Sequence, residues 1–258
     1  MILYFSATGN TEYIAGKIAE YIGDDTLNLL ERIKTGDCSE IHSDRPFVIC
    51  SPIHVCEMPI FFADYIKRVK LTGSPDVYFV FTSGGYAGIA SSIARRIVRR
   101  KGMNYMGRAE FTMPRNYPVS RHYPLLGEEE NRRRVEESLK RIPEIAAHIK
   151  NNEKLQARYV TLFEKIITYP FTPLWAKFKH TAKPFYATDK CIGCGKCERL
   201  CPVNSITMVD GRPKWADKCA HCMSCLGNCP AGAIGYGDVV EPGERYRFEK
   251  KLLTEKTL

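Results

Sequence analysis

Eight cysteines lie between Cys191 and Cys229 and repeat one pattern, C-x-x-C-x-x-C-x-x-x-C-P. The first copy is Cys191, Cys194, Cys197, Cys201 and Pro202; the second is Cys219, Cys222, Cys225, Cys229 and Pro230. The offset is 28 positions, and Ile206 and Ile234 share it. Thiolate is a soft ligand for iron, and this spacing in duplicate is a ligand set for two 4Fe-4S clusters. In such a duplicated unit the fourth cysteine of each run crosses to the other copy's cluster. Cluster I then takes Cys191, Cys194, Cys197 and Cys229, and cluster II takes Cys219, Cys222, Cys225 and Cys201. Blander chemistries account for less. Disulfides need an oxidising compartment, and Met1-Ile2-Leu3-Tyr4-Phe5-Ser6 has neither the basic flank nor the cleavage site of an export signal, so a cytoplasmic location is expected. Zinc uses two separated C-x-x-C pairs and leaves the third cysteine and the proline of each run unexplained.

A second candidate lies at the other end of the chain. Ser6-Ala7-Thr8-Gly9-Asn10-Thr11 follows a short apolar run and precedes a helical pattern. Hydroxyls, a glycine that admits close backbone approach and free amides at a helix start together make a phosphate cradle. Neither G-x-x-x-x-G-K-[ST] nor G-x-G-x-x-G is present, which argues against ATP and NAD. The plainer reading of the same residues is that Ser6 or Thr8 caps the helix.

The cysteine unit spans only residues 184–236 of a 258-residue chain, so a further domain precedes it. A hydrophobic content of 44% with 26% charged residues suits a soluble globular protein, and no apolar run nears the roughly 20 residues that span a bilayer. Met1–Ser6, Phe47–Cys50 and Asp76–Phe81 read as strands, each followed by a loop and a helical pattern. The helices cover 10–22 (stripe Ile14, Ile18, Ile22), 59–69 (Phe61, Phe62, Tyr65, Ile66, Val69) and 87–101. Weaker strands fall at Thr26–Leu30 and Arg108–Met113, and a long polar helix at Glu128–Lys150. This alternation predicts a doubly wound parallel sheet with ligands beyond the carboxyl ends of its strands.

The loop at residues 6–11 resembles the phosphate loop of flavodoxins, which holds the FMN phosphate. Two further loops, Ser51-Pro52-Ile53-His54-Val55-Cys56-Glu57-Met58-Pro59 and Thr82-Ser83-Gly84-Gly85-Tyr86-Ala87-Gly88, fall where flavodoxin-like proteins contact the isoalloxazine ring. With the double cysteine run, the chain resembles the fused flavodoxin/bacterial-type two-cluster ferredoxin electron-transfer proteins of anaerobes. That resemblance implies an α/β fold: a flavodoxin-like FMN-binding domain over 1–150 with sheet order 2-1-3-4-5, a connector over 151–183, a small α+β ferredoxin domain over 184–236, and a tail over 237–258. It implies FMN and two 4Fe-4S clusters as cofactors. The implied FMN contacts are Ser6, Ala7, Thr8, Gly9, Asn10, Thr11, Pro52, Ile53, His54, Val55, Thr82, Ser83, Gly84, Gly85, Tyr86 and Gly88. Tyr86 is the aromatic best placed to stack on the ring, His54 is either a ring contact or an ordinary loop histidine, and Glu57 is the one acidic residue of its loop. Cys50 reads as a small buried hydrophobe, Cys56 as a reactive or an inert thiol.

The net charge of +9 is uneven: −4 over residues 1–80, +7 over 81–150 and +4 over 151–183. Arg95, Arg96, Arg99, Arg100 and Lys101 share a helix with Ile93, Ala94, Ile97 and Val98, which makes them a solvated face, with docking of an acidic partner as the second reading and no nucleic acid expected. The connector carries Tyr159, Phe163, Tyr169, Phe171, Trp175 and Phe178 among Lys165, Lys177, Lys179 and Lys183. Packing between the domains is the first expectation for these aromatics and an interfacial membrane or partner segment the second, with Pro170 and Pro173 limiting helix length. The expected function is electron transfer between a ferredoxin-like one-electron partner protein and FMN through the clusters, which needs no catalytic acid or base. The alternative is a pure carrier feeding a partner enzyme. A homodimer stays open.

Overall fold

The computed structural model describes residues 1–156 and 160–249. The amino-terminal elements are β1 (Ile2–Tyr4), α1 (Asn10–Ile22), β2 (Thr26–Asn28), α2 (Leu30–Thr35), β3 (Ile41–Ser43), β4 (Phe47–Pro52), α3 (Ile60–Arg68), β5 (Leu71–Gly73), β6 (Asp76–Ser83), α4 (Ala90–Arg100), β7 (Asn104–Thr112) and α5 (Glu128–Lys150). Five of the strands form one parallel sheet in the order β2-β1-β4-β6-β7, with Tyr4, Cys50, Val80 and Ala109 in one cross-strand row. Counted alone, these five strands have the 2-1-3-4-5 order of a flavodoxin-like fold.

Alternation along the strands sorts side chains to two buried faces. Leu3, Phe5, Phe47, Ile49, Val77, Phe79 and Phe81 pack with Phe62 and Ile66 of α3 and Ile93 and Ile97 of α4. Ile2, Tyr4, Val48, Cys50, Tyr78 and Val80 pack with Ile14 and Ile18 of α1 and Val135, Ile142 and Ile149 of α5. Arg95, Arg96, Arg99 and Arg100 are exposed on α4, as a solvated face requires. The short parallel pair of β3 and β5 and the six-residue α2 escape the sequence pattern, because three to six residues establish no period.

The cysteine unit follows α6 (Leu162–Lys179) and comprises β8 (Phe185–Ala187), α7 (Lys196–Arg199), β9 (Ile206–Val209), β10 (Arg212–Trp215), α8 (Ser224–Asn228) and β11 (Ile234–Tyr236). β8 pairs with β11 and β9 with β10, both antiparallel. The 28-residue repeat is a structural one. The Thr188 amide donates to the Ala233 carbonyl at 2.9 Å, and its counterpart, the Ala216 amide, donates to the Ser205 carbonyl at 2.8 Å.

The connector departs from expectation. α6 runs for 18 residues straight through Pro170 and Pro173. Phe163 and Phe171 are 71% and 49% exposed, so these two are not packed between the domains. Tyr169 does turn inward, lying 5.1 Å below the Arg96 guanidinium, and the Thr172 hydroxyl donates to the Val55 carbonyl at 2.9 Å. Tyr159 and the side chains of Trp175, Lys177, Phe178 and Lys179 lie outside the described residues.

The two halves meet instead through loops. Lys34 donates to the carbonyls of Glu198 (2.9 Å) and Cys201 (3.3 Å), and Asn204 donates back to the Lys34 carbonyl at 2.8 Å. Tyr117 and Val119, from the loop after β7, pack into the core of the cysteine unit. Cys222 packs against the core of the sheet.

Two left-handed glycines separate backbone strain from crowding. Gly107 (φ +105) in β7 lies where the chain leaving α5 pairs back on the strand, and a Cβ there would overlap the Leu155 carbonyl; Gly102 (φ +69) has nothing within 4 Å. Gly102→Ala should cost about 1–2 kcal/mol for the conformation alone. Gly107→Ala should cost more than that, because the same backbone penalty is joined by a steric one. Urea denaturation of the two variants checks the difference, and equal losses would contradict it.

Candidate functional site

Among the described residues no three His, Cys, Asp or Glu side chains are grouped so as to hold a metal ion. Cys201, Cys219, Cys222 and Cys225 instead line one small cavity, closed by Phe185, Ile206 and Trp215. Four thiols arranged around a space fit a 4Fe-4S cluster, in which each iron takes one thiolate. Burial pushes the Cys219 thiol up to about 11 and Cys225 up to about 12, with the other cysteines of the group adding to the shift. Only the positive charge of bound metal would make such thiols ligate as thiolates near neutral pH. The other set is shallower. Cys197 is raised first by burial and then by Cys191 and Cys194, Cys194 is exposed, and Ile192 beside it is 67% exposed. Cys229 lines a cleft with Lys196, the neighbour of Cys197.

Backbone amides reach the sulfurs in repeated fashion. The Ser205 amide donates to Cys201 Sγ at 3.2 Å and the Ala233 amide to Cys229 Sγ at 3.4 Å, again 28 residues apart. The loops between cysteines need left-handed residues at matching places. Gly193 (φ +66) and Gly195 (φ +67) supply them in the first copy, and His221 (φ +46) and Met223 (φ +63) in the second. A non-glycine residue pays conformational strain there. His221 is held by its side chain: Nε2 lies 2.8 Å from the Thr181 carbonyl and Nδ1 lies 3.0 Å from the Tyr117 hydroxyl. A carbonyl only accepts, so Nε2 carries the proton and the neutral ring's Nδ1 accepts from Tyr117. Burial lowers the His221 pKa and raises that of Tyr117, which keeps both in the forms this pairing needs.

At the amino-terminal site, Ser6, Ala7, Thr8, Asn10, Thr11, Pro52, Ile53, His54, Thr82, Ser83 and Gly84 line one cavity with Pro114 and Asn116. No side chain caps α1, whose N-cap is Gly9 (φ +98); Ser6 Oγ accepts instead from the Gly9 amide at 3.1 Å. The helix-capping reading of Ser6 and Thr8 therefore fails, and the first-turn amides of α1 suit an anion. Thr8 Oγ1 accepts from Asn116 at 2.8 Å, and the Thr11 and Thr82 hydroxyls are 2.8 Å apart. Gly9 lies outside the cavity lining. A Cβ on it would come within 2.7 Å of Phe248 Cβ, so its place is against the tail.

A larger cavity of about 590 Å³ adjoins, sharing Ile53, His54, Ser83, Gly84 and Asn116 with the first. Val55, Gly85 and Tyr86 line it, and the Tyr86 hydroxyl meets Glu164 of α6. Gly88 does not line it. It stands behind, where a Cβ would overlap the Cys56 carbonyl, and it lets the two loops interlock. His54 and Glu57 exchange backbone hydrogen bonds at 2.8 and 3.2 Å around Val55 (φ +47) and Cys56 (φ +66). This tight turn is usually built from Asn and Gly, so a β-branched valine in it stores strain at the cavity wall. Burial, first, and Glu57 push the Cys56 thiol up, which leaves it neutral, the inert reading. Burial raises Cys50 far more strongly.

The cavity's other walls were not foreseen. Arg115, Tyr117 and Tyr123 come from the loop after β7, Arg134 from α5, His180 from the end of the connector, and His221, Cys222 and Met223 from the second cysteine loop. The rule that ligands gather at strand carboxyl ends points to the loop after β7; nothing local in sequence points to the rest. One cavity thus touches both the loops expected to hold an isoalloxazine ring and a cysteine expected to bind iron.

Residues 180–234 match the family model of the 4Fe-4S dicluster domain. The chain joins a flavodoxin-like sheet to that domain. No curated protein matches the sequence. Solved structures similar to the sheet domain include the two-electron reduced flavodoxin of Megasphaera elsdenii (17% identity, 43% of this chain, 86% of that one, TM-score 0.31). A flavodoxin from the domain Archaea is 16% identical over 58% of this chain and 97% of its own, TM-score 0.34. A flavoprotein in complex with FMN from Lactobacillus acidophilus is 23% identical over 42% of this chain and 90% of its own, TM-score 0.30. At such scores the fold assignment rests on the strand order described above.

Burial holds His54 and His180 neutral, lowering their pKa values to about 3 and about 4, with nearby His221 adding to both shifts. The unfolded chain takes up protons near the ordinary histidine value of about 6.5, which the folded chain refuses. Stability is therefore full above about pH 6.5 and falls as pH drops toward the folded values. His54→Gln should flatten part of that fall in denaturation midpoints measured between about pH 7 and 5, and an unchanged profile would contradict the assignment.

Proposed function

We propose that this protein passes electrons between a ferredoxin-like one-electron carrier protein and FMN by way of two 4Fe-4S clusters. The observation that carries the reading is the single cavity bounded by His54, Gly84 and Tyr86 on one side and by Cys222 and Met223 on the other. Clusters would supply single-electron transfer, and FMN exchange of one or two electrons. Cys219, Cys222, Cys225 and Cys201 would hold the inner cluster, next to the ring cavity. Cys191, Cys194, Cys197 and Cys229 would hold the outer one, where exposed Cys194 and Ile192 give a carrier its approach.

The chain's own residues have definite parts in this scheme. The α1 amino terminus and the loop of residues 6–11 would bind the phosphate. Ile53, His54, Gly84, Gly85 and Tyr86 would enclose the ring, and neutral His54 and His180 add no charge beside it. Asn228 donates to the Ala7 carbonyl and the Phe248 amide to the Thr8 carbonyl, 2.8 and 2.7 Å, so α8 and the tail brace the phosphate loop.

Cys225→Ala should leave about four irons per chain instead of about eight, retain FMN, and abolish FMN reduction by a reduced ferredoxin under anaerobic conditions. Full iron content with unimpaired reduction would refute the wiring. Thr8→Ala should weaken FMN binding about tenfold or more through loss of a hydrogen bond at a charged group, read by fluorescence titration of the apoprotein. Turnover of an organic two-electron acceptor by the holoprotein and ferredoxin alone marks an oxidoreductase; turnover only with an added enzyme marks a carrier.

A further inference from the structure

We propose that the outer face of α6 docks on an anionic lipid surface. The helix is amphipathic in the inverse sense. The side it turns to the protein offers Tyr169 and the buried hydroxyl of Thr172. The side it turns to solvent offers Leu162, Phe163, Ile166, Ile167, Phe171 and Leu174, exposed by 69, 71, 63, 50, 49 and 57%. At 3.6 residues per turn these six positions cover about half the helix circumference over about 18 Å. A surface helix ordinarily turns its apolar stripe to the core, and a contiguous exposed stripe of this size marks an interaction site.

The charge beside the stripe selects the occupant. Arg95, Arg96, Arg99 and Arg100 stand exposed on α4, and Arg96 sits over Tyr169 of α6, so cations border the apolar face. Residues 81–150 and 151–183 carry the chain's positive excess, +7 and +4. Apolar side chains flanked by basic ones are what an anionic bilayer surface attracts. The six exposed side chains themselves carry no hydrogen-bonding group; lipid chains require none, whereas a protein interface is laced with directional hydrogen bonds. A second copy would bring one arginine row close to another. Among the described residues no helix is long and apolar enough to cross a membrane, so the contact is peripheral. Thr172 bonded to Val55 and Glu164 to Tyr86 tie α6 to both loops of the ring cavity, which places docked face and cavity on one side of the molecule.

The test is sedimentation of the anaerobic, full-length holoprotein with phosphatidylcholine vesicles, with and without phosphatidylglycerol. Binding should appear with phosphatidylglycerol and weaken as salt is raised. The double variant Ile166→Glu/Ile167→Glu should lower partitioning at least about tenfold with iron and FMN content unchanged, and Arg99→Glu/Arg100→Glu should remove the preference for phosphatidylglycerol. The proposal is overturned by absence of wild-type binding, by binding indifferent to phosphatidylglycerol, or by binding that the isoleucine variant keeps. A wild-type dimer in solution that this variant splits would give the face to a second copy and overturn it equally.

Discussion

The docking of the second cysteine loop onto the carboxyl edge of the sheet is the constraint on which the rest depends. His221 sits at its centre, with Thr181 on one ring nitrogen and Tyr117 on the other, and its ring stacks on His180 at 5.0 Å. That arrangement fixes a residue of the cysteine unit against a residue of the sheet domain, and the adjacent Cys222 becomes a wall of the larger cavity. Buried polar contacts of this kind are costly when incomplete and specific when complete. Both imidazole nitrogens are engaged here, so the loop has one seat.

The duplicated unit is symmetric in backbone and asymmetric in environment. Strand pairing, amide-to-sulfur bonds and left-handed positions recur at the 28-residue offset. Yet one copy keeps glycines and an exposed loop, and the other replaces them with His221 and Met223, buried against the sheet domain. Loss of the glycines is a local penalty that interdomain contacts offset. The tail adds a second tie: Tyr246 donates to Asn10 at 2.7 Å, and Phe248 stacks on Tyr13 with ring centres 4.3 Å apart. The loop of residues 6–11, the larger cavity and the cysteine unit are consequently one mechanical assembly.

Much of this was legible in sequence wherever a period or a spacing carried it. The cysteine repeat, the span of α1, the long α5 and the strands β4 and β6 all announce themselves through repeating apolar positions or ligand chemistry. What stayed hidden depends on contacts distant along the chain. Gly88 reads as a ring contact because it lies in a glycine-rich loop, but it serves the packing of Cys56. The tail is charge-balanced and patternless, and its role exists only because Tyr246 and Phe248 land on residues 8–13. The aromatic connector suggested burial, since exposed aromatics are unfavourable in water; among the described residues the domains join through Lys34, Tyr117 and Asn228, and Leu162, Phe163, Ile166 and Phe171 on the outer face of α6 stay exposed.

The central claim is that the proposed ring site and inner cluster adjoin within one chain, with Cys222 in the wall of both cavities. Stopped-flow absorbance tests it most directly: anaerobic holoprotein is mixed with excess reduced ferredoxin and the flavin band is followed at several holoprotein concentrations. Transfer inside the chain gives a flavin phase whose observed rate constant is independent of holoprotein concentration. An observed rate constant that rises in proportion to it would mean that electrons reach the flavin only between molecules, and the contact through Cys222 would have no part in the transfer.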